Sequence, residues 1–483
     1  MQNGETEVNG LSNEHTRDLT TGSPTKLILA FMLPLVFGLL FQQLYSMVDT
    51  IVVGKFLGVD ALAGVGSTGS ISFLVLGLCN GVCAGFAIPV AQKFGQRDFE
   101  GLRRFVGNMI WLGCFIAAAV TLLTTLLCRQ ILIWMDTPGD TFSYAYDYIL
   151  VIFLGIPATM LYNLLSGILR SLGDSKTPLI FLIVCSLLNV VLDIAFILAL
   201  NMGVAGAGWA TLLSQLISGG LCLYFIVKKF PILHLKRDDL RLRGVYARKL
   251  LNMGLPMGLQ YSITAIGSIM LQTAVNGLGA TAMAAMTAGS KVSMLCVCPF
   301  DAMGTTAATF AGQNLGAGKP GRIHQGVKAC TVLGAVFSVV IFAALWFCGE
   351  ALSTLFLDTS DGASIETVVP LSQQFLLANA AFYIPLVFVN LLRFTIQGLG
   401  YSELAVFAGV FEMVARGVFG ICLVPVFGYA AACYANPAAW VMADLFLFPA
   451  YFSCMKKQGC SFGRPKPAAA GKIGESDSAE SDE

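Results

Sequence analysis

Twelve stretches of this chain are apolar for long enough to cross a bilayer, and nothing else in the sequence limits the fold as much. They cover residues 27–53, 61–90, 105–128, 144–168, 179–200, 205–227, 250–275, 281–311, 327–348, 372–395, 403–424 and 428–454. A spanning helix needs about 20 mostly apolar residues, whereas barrel strands are shorter and alternate in polarity, so these runs are helices. Every backbone polar group in hydrocarbon must be satisfied internally, which makes an all-α membrane protein the expected fold class. The charge content agrees: 12% of the 483 residues are Asp, Glu, Lys or Arg, about half the share in soluble domains.

The loops set the orientation. Lys93, Arg97, Arg103 and Arg104 lie between helices two and three, and Arg170 and Lys176 between four and five. Eight more Lys and Arg lie around the connection between six and seven, and Lys319, Arg322 and Lys328 between eight and nine. The odd-numbered connections hold only Lys55 and Arg129. Excess Lys and Arg mark cytoplasmic loops, so both termini are expected in the cytoplasm, as an even helix count requires. The expected location is the plasma (cytoplasmic) membrane, crossed many times. The first 24 residues are polar and hold no apolar leader, so the first run is expected to remain as helix one. Residues 1–24 and 458–483 read as disordered cytoplasmic tails.

The chain also repeats itself. A shift of 221 residues places Leu57-Gly58 on Leu278-Gly279, Ala61 on Ala282, Gln92 on Gln313 and Gly95 on Gly316. With a small gap, Ile156-Pro157 falls on Ile384-Pro385 and Leu172-Gly173 on Leu399-Gly400. The expectation is therefore twelve transmembrane helices in two six-helix lobes related by an internal repeat. An N-lobe spans 25–230, a basic inter-lobe loop 231–249 and a C-lobe 250–457. Repeated bundles are a transporter architecture, with substrate and ion sites near the midplane between or within the halves. Short loops and two self-complementary lobes point to a monomer.

Residues for other chemistries are missing. The three His (His15, His234 and His324) lie in tails or loops, and there is no His-Glu-x-x-His. Gly316-Ala-Gly-Lys319-Pro lacks the second half of a nucleotide-binding P-loop. The 14 Cys are mostly single and sit in apolar runs, where they act as small packing side chains. No basic groove with interleaved aromatics suits nucleic acid. Neither an enzyme nor a bound cofactor is expected.

Polar residues inside the apolar runs therefore carry the functional argument. Asn189 and Asp193 are four apart in the fifth run, with only Val190, Val191 and Leu192 between them. On a helix they share a face, and an acid at this depth faces a cavity or a partner. Asp49 follows an uncharged run from Leu27 and lies 15 residues past Pro34. That is ~22 Å along a helix, and Pro34 permits a kink between them. Carboxylate and carbonyl oxygens suit a hard cation such as sodium, and paired carboxylates also exchange protons. A polar network that only pins helices together is the competing reading. Glu412 and Arg416 are spaced as an i, i+4 ion pair, with attraction of cationic substrate by Glu412 as the alternative. Asp301, Lys291 and Asp444 are further charges within the runs. Gln42 and Tyr45, two turns and one turn before Asp49, are candidates to line a substrate cavity, together with the acids Asp301 and Glu412.

The motifs together resemble the multidrug and toxic compound extrusion (MATE) family over Lys26 to Lys457. They are Pro34 with Gln42-Gln43-Leu-Tyr-Ser-Met-Val-Asp49-Thr, Gly58-Val-Asp-Ala-Leu-Ala-Gly and Pro89-Val-Ala-Gln92-Lys-Phe-Gly95. Phe310-Ala-Gly-Gln313-Asn314-Leu-Gly316-Ala, Arg170-Ser-Leu-Gly173-Asp174-Ser-Lys-Thr-Pro178 and Asn189-Val-Val-Leu-Asp193 complete the set. The resemblance implies an antiporter that expels amphipathic, usually cationic, compounds in exchange for protons or sodium. It implies two lobes around a V-shaped cavity that opens alternately to each side. In the DinF-like branch an N-lobe cation site uses an Asp, an Asn, an Asp and a Thr, which fall here on Asp49, Asn189, Asp193 and Thr211. The NorM-like branch places a Glu in helix seven, where Pro256-Met-Gly-Leu-Gln-Tyr-Ser-Ile-Thr264 has no acid.

Small organic cations are the expected cargo. The intramembrane acids Asp49, Asp193, Asp301, Glu412 and Asp444 outnumber Lys291 and Arg416. A lipid-linked oligosaccharide flippase, which would need basic residues for a pyrophosphate headgroup, is the alternative, as is export of an endogenous metabolite.

Overall fold

In a computed structural model of the protein, residues 16–135, 137–356 and 362–459 are described. They form twelve helical spans. The first six are α1 (Pro24–Leu57), α2 (Asp60–Gly95), α3 (Phe99–Trp134), α4 (Gly139–Leu154 and Ile156–Ser171), α5 (Lys176–Ala199) and α6 (Gly203–Lys229). The rest are α7 (Gly244–Asn276), α8 (Ala280–Gly316), α9 (Pro320–Thr354), α10 (Gly362–Ala380 and Tyr383–Gly398), α11 (Ser402–Phe427) and α12 (Tyr429–Lys457). Among the described residues nine helices are long and apolar enough to cross a membrane, and the pairs in α4 and α10, bent by 44° and 50°, add two spans. The 33-residue α7 is long enough but less apolar. It packs mainly against α2 and α11.

The repeat reappears in the backbone. Gly58 and Gly279 turn α1 into α2 and α7 into α8 at φ of 90° and 98°. Gly173 and Gly400 turn α4 into α5 and α10 into α11 at 87° and 98°. Only a residue without a Cβ takes these angles freely. A five-residue π-helical turn ends α5 at Ala195–Ala199 and interrupts α11 at Phe419–Leu423.

The lobes exchange the first turns of one helix each. Ile28 and Met32 of α1 belong to the core of the second half, whereas Val52 and Val53 pack with Ile197, Val204 and Ala207 of the first. Conversely, Leu250 of α7 joins the core of the first half and Leu271 and Val275 that of the second. Spatially, then, the lobes are not split at residues 25 and 250. Glycines let α2 and α7 meet backbone to backbone: a Cβ on Gly81 would lie 2.5 Å from the Met257 carbonyl oxygen, and one on Gly85 2.6 Å from the Gly254 Cα.

The end of the bundle that carries the basic loops is sealed. Leu19 is fully buried there, its N–H donating to Gln313 Oε1 at 3.0 Å and its carbonyl accepting from Asn314 Nδ2 at 3.2 Å. Lys319 Nζ donates to the Thr20 carbonyl at 3.0 Å, and the Arg17 N–H donates to the Leu172 carbonyl at 3.3 Å. The folded body thus begins before residue 24, where polarity alone placed the end of a disordered tail. Residues 1–15 and 460–483 of the expected tails lie outside the described residues. The inter-lobe connection is also shorter than expected, because α7 starts at Gly244. It lies on α3, where Trp111 Nε1 donates to the Leu240 carbonyl and Asp239 pairs with Arg103 at 3.5 Å.

Candidate functional site

The face shared by Asn189 and Asp193 points inward: their exposures are 1% and 0%. Asn189 Nδ2 donates across to Thr211 Oγ1 of α6 at 3.3 Å. Asp49, near the far end of α1, brings its carboxyl within interaction distance of Asp193. All four residues that the family resemblance selects thus gather at one place. The site contains two further polar neighbours that the sequence reading did not select. Tyr148 of α4 lies within range of both acids, and Gln215, one turn beyond Thr211, lies beside Tyr45. The i, i+4 spacing of Thr211 and Gln215 was the available signal.

The cluster holds several buried oxygens without a hydrogen-bond partner. Asp49 Oδ1, Asn189 Oδ1, both Asp193 carboxylate oxygens and Gln215 Oε1 are buried and accept no hydrogen bond among the described residues. No Lys or Arg forms an ion pair with either acid among them. Two acids so placed cannot both stay charged without a counter-charge. Unmatched oxygens in this number fit a bare hard cation, which takes oxygen ligands, and equally fit a proton shared between the acids.

Next to the cluster a cavity of ≈ 190 Å³ opens between α1, α2, α4, α5, α6 and α8. Gln42, Tyr45, Thr211 and Gln215 line it, and Pro34 sits in its wall. A second cavity of ≈ 210 Å³ extends towards α7 and α10, and Gln42, Asn80, Asn163, Arg170 and Thr305 border both. Asp301, one turn before Thr305, accepts from Asn390 Nδ2 at 3.2 Å.

Like Asp301, Glu412 borders neither of these two cavities, contrary to the expectation for both. Glu412 is 3% exposed and held by two arginines, accepting from Arg393 Nη2 on one oxygen and from Arg416 Nη1 on the other at 3.3 Å. Arg416 also donates from Nε to Asn436 Oδ1 at 3.0 Å. The i, i+4 pair therefore exists but is two members of a triad, and the charge count that favoured acids omitted Arg393. It also read Arg170 as a loop residue. The last turn of α4 runs to Ser171 and turns Arg170 back onto the cavities.

A model of the MatE family matches residues 34–195 and 256–422, one segment in each half. The chain belongs to that family. Its relatives include a probable multidrug resistance protein, YpnP, of Bacillus subtilis, 28% identical over 390 residues that cover 79% of this chain and 83% of the relative. A FAD transporter of Shewanella oneidensis is 24% identical over 68% of this chain and 72% of its own length. Among solved structures, an outward-facing multidrug resistance MATE transporter superposes with a TM-score of 0.85 at 21% identity, covering 92% of this chain and 99% of that one. The MatE chain is a multi-pass membrane protein of a transporter family, with the two-lobed all-helical fold.

Proposed function

We propose that this MatE chain is a secondary active exporter. It would expel amphipathic compounds, organic cations among them, in exchange for H⁺ or Na⁺ bound at Asp49, Asn189, Asp193 and Thr211, as in the DinF-like branch. One observation carries this reading: five buried oxygens of Asp49, Asn189, Asp193 and Gln215 have no hydrogen-bond partner, and neither acid has a basic partner, among the described residues. A cation neutralises that charge, and the neutral and charged forms favour different packing of α1, which spans both lobes. Coupling follows when the two states differ in cation affinity. The basic end then faces the cytoplasm of a cell's plasma membrane, with both termini there. The protein acts as a monomer without an enzymatic step.

Cationic cargo is supported by Asp301, one turn from a residue that borders both cavities. The flippase alternative needs several basic groups to hold a pyrophosphate, and Arg170 is the single base bordering these two cavities.

The test is efflux of a fluorescent organic cation from vesicles under an imposed sodium or proton gradient. Wild type should require one of the two gradients, and Asp193→Asn should lose that dependence. Equal gradient-driven efflux by both would sink the assignment.

A further inference from the structure

Arg170 stands out among the cavity residues. Its helix end is fixed on two sides, since Ser171 Oγ donates to the Ala87 carbonyl at 2.8 Å and Gln313 Nε2 donates to the Ser171 carbonyl at 2.9 Å. The guanidinium borders both cavities at their junction. Among the described residues it forms no ion pair and donates no hydrogen bond. The nearest acid in sequence, Asp174, uses Oδ1 to accept from the Lys176 and Thr177 N–H groups, at 3.0 Å each, and does not pair with it. Asp301 lies across Tyr261 on the other lobe, bound to Asn390. An arginine presents five N–H donors in a rigid fork, and a half-buried guanidinium without a partner is costly unless a ligand supplies one.

Its neighbours are also donors. Asn163 Nδ2 donates to Asn80 Oδ1 at 3.0 Å and to the Thr159 carbonyl at 2.9 Å, which leaves the Asn80 amide N–H groups directed elsewhere. Gln42 borders both cavities as well, and apolar walls flank the junction at Leu35, Leu39, Met257 and Phe394.

We propose that Arg170, with Asn80 and Gln42, forms an anion-binding subsite of this cavity that takes the carboxylate or phosphate of an amphipathic cargo. The subsite rests on the reading of the cavity as a transport path and narrows its cargo. With Asp301 one turn behind Thr305, which borders both cavities from the other lobe, the junction suits molecules carrying both signs of charge. A planar guanidinium matches either oxyanion in bidentate fashion, which a lysine does not reproduce.

Fluorescence anisotropy on the purified full chain tests this with three probes: fluorescein (a carboxylate), 4-methylumbelliferyl phosphate (a phosphate) and rhodamine 6G (a cation on the fluorescein frame). Charge-assisted hydrogen bonds of this kind predict that Arg170→Gln weakens at least one anionic probe about tenfold or more relative to rhodamine 6G. Arg170→Lys should fall between. The anionic probe that responds names the preferred oxyanion. A uniform change for all three probes, or none, overturns the subsite; retained binding by Arg170→Lys guards against a folding defect. If the anionic probes bind as expected but the wild type moves none of the three across vesicles under either gradient, the efflux reading fails and the subsite stands.

Discussion

The side-chain amide of Gln92 crosses the lobe boundary and donates to the Gly398 carbonyl at 3.0 Å. Its repeat counterpart answers in the other direction, Gln313 donating to the Ser171 carbonyl at 2.9 Å. Both bonds lie at the basic end, and any cycle that opens that end must break them. A hydrogen bond of this kind contributes about 0.5–1.5 kcal/mol net. The double change Gln92→Ala, Gln313→Ala should therefore raise the fraction open at the basic end by about tenfold. Spin-label distances between the α2–α3 and α8–α9 connections report this; an unaltered distance distribution would show that the clamp is not an energetic one.

The same junction leaves no room for side chains. A Cβ on Gly95 would lie 2.0 Å from the Gln313 carbonyl oxygen, and one on Gly316 2.0 Å from that of Gln92. Backbone cannot yield by that much without parting the helices. Gly95→Val should hold the basic end apart and bring gradient-driven efflux to background, while the protein still inserts in the membrane. Normal efflux by this variant would mean that closure there is not required.

The lobes, the repeat and the helix count were legible because they follow from hydropathy and from turn glycines at fixed offsets. Asn189 and Asp193 were legible for a related reason, as polar residues in an apolar run have few explanations. What was hidden depends on where a helix ends and which way it faces. Arg170 reads as a loop base until α4 is seen to continue to Ser171. Glu412 reads as a cavity acid until Arg393, from another helix, is seen to hold it. The exchange of the first turns of α1 and α7 is a tertiary choice, and no local pattern records it.

Arg393 and Arg416 depend on one carboxylate. Removing one member of a buried ion pair leaves an uncompensated charge and costs about 3–5 kcal/mol. Glu412→Gln should therefore lower the melting temperature in detergent markedly, and Glu412→Asp, which keeps the charge, less so. Equal melting of wild type and Glu412→Gln would show that solvent or lipid already satisfies both guanidinium groups.

Asp98 caps α3, its Oδ1 accepting from the Gly101 N–H at 2.8 Å and its Oδ2 from Lys93 Nζ at 2.6 Å. Burial pushes its carboxyl up, but the Lys93 and Gly101 bonds outweigh burial and hold it below the usual carboxylate range. A depressed folded value gives stability that is present above the unfolded pKa of about 3.9 and lost as pH falls through the folded one. Asp98→Ala should cost about 1 kcal/mol at neutral pH. The wild-type advantage should shrink in acid, below about pH 4. An advantage that stays constant down to low pH would assign the capping to something other than the ionised carboxylate.

Asp193 makes the sharpest thermodynamic demand in the protein, since it is fully buried and neither oxygen accepts a hydrogen bond among the described residues. Any cation that binds the folded state there stabilises it by mass action, by about 2.7 kcal/mol at a hundred times its dissociation constant. Wild type should therefore melt at a higher temperature as sodium replaces choline at fixed pH, or, if the proton is the ligand, as pH is lowered without sodium. Asp193→Asn removes the charge that the cation answers. It should match or exceed wild type in cation-free buffer, because an unpaired buried charge has been deleted, and it should lose most of the response. A variant that is less stable than wild type without cation, yet responds to sodium and acid as wild type does, would make Asp193 a structural residue and move the coupling site elsewhere.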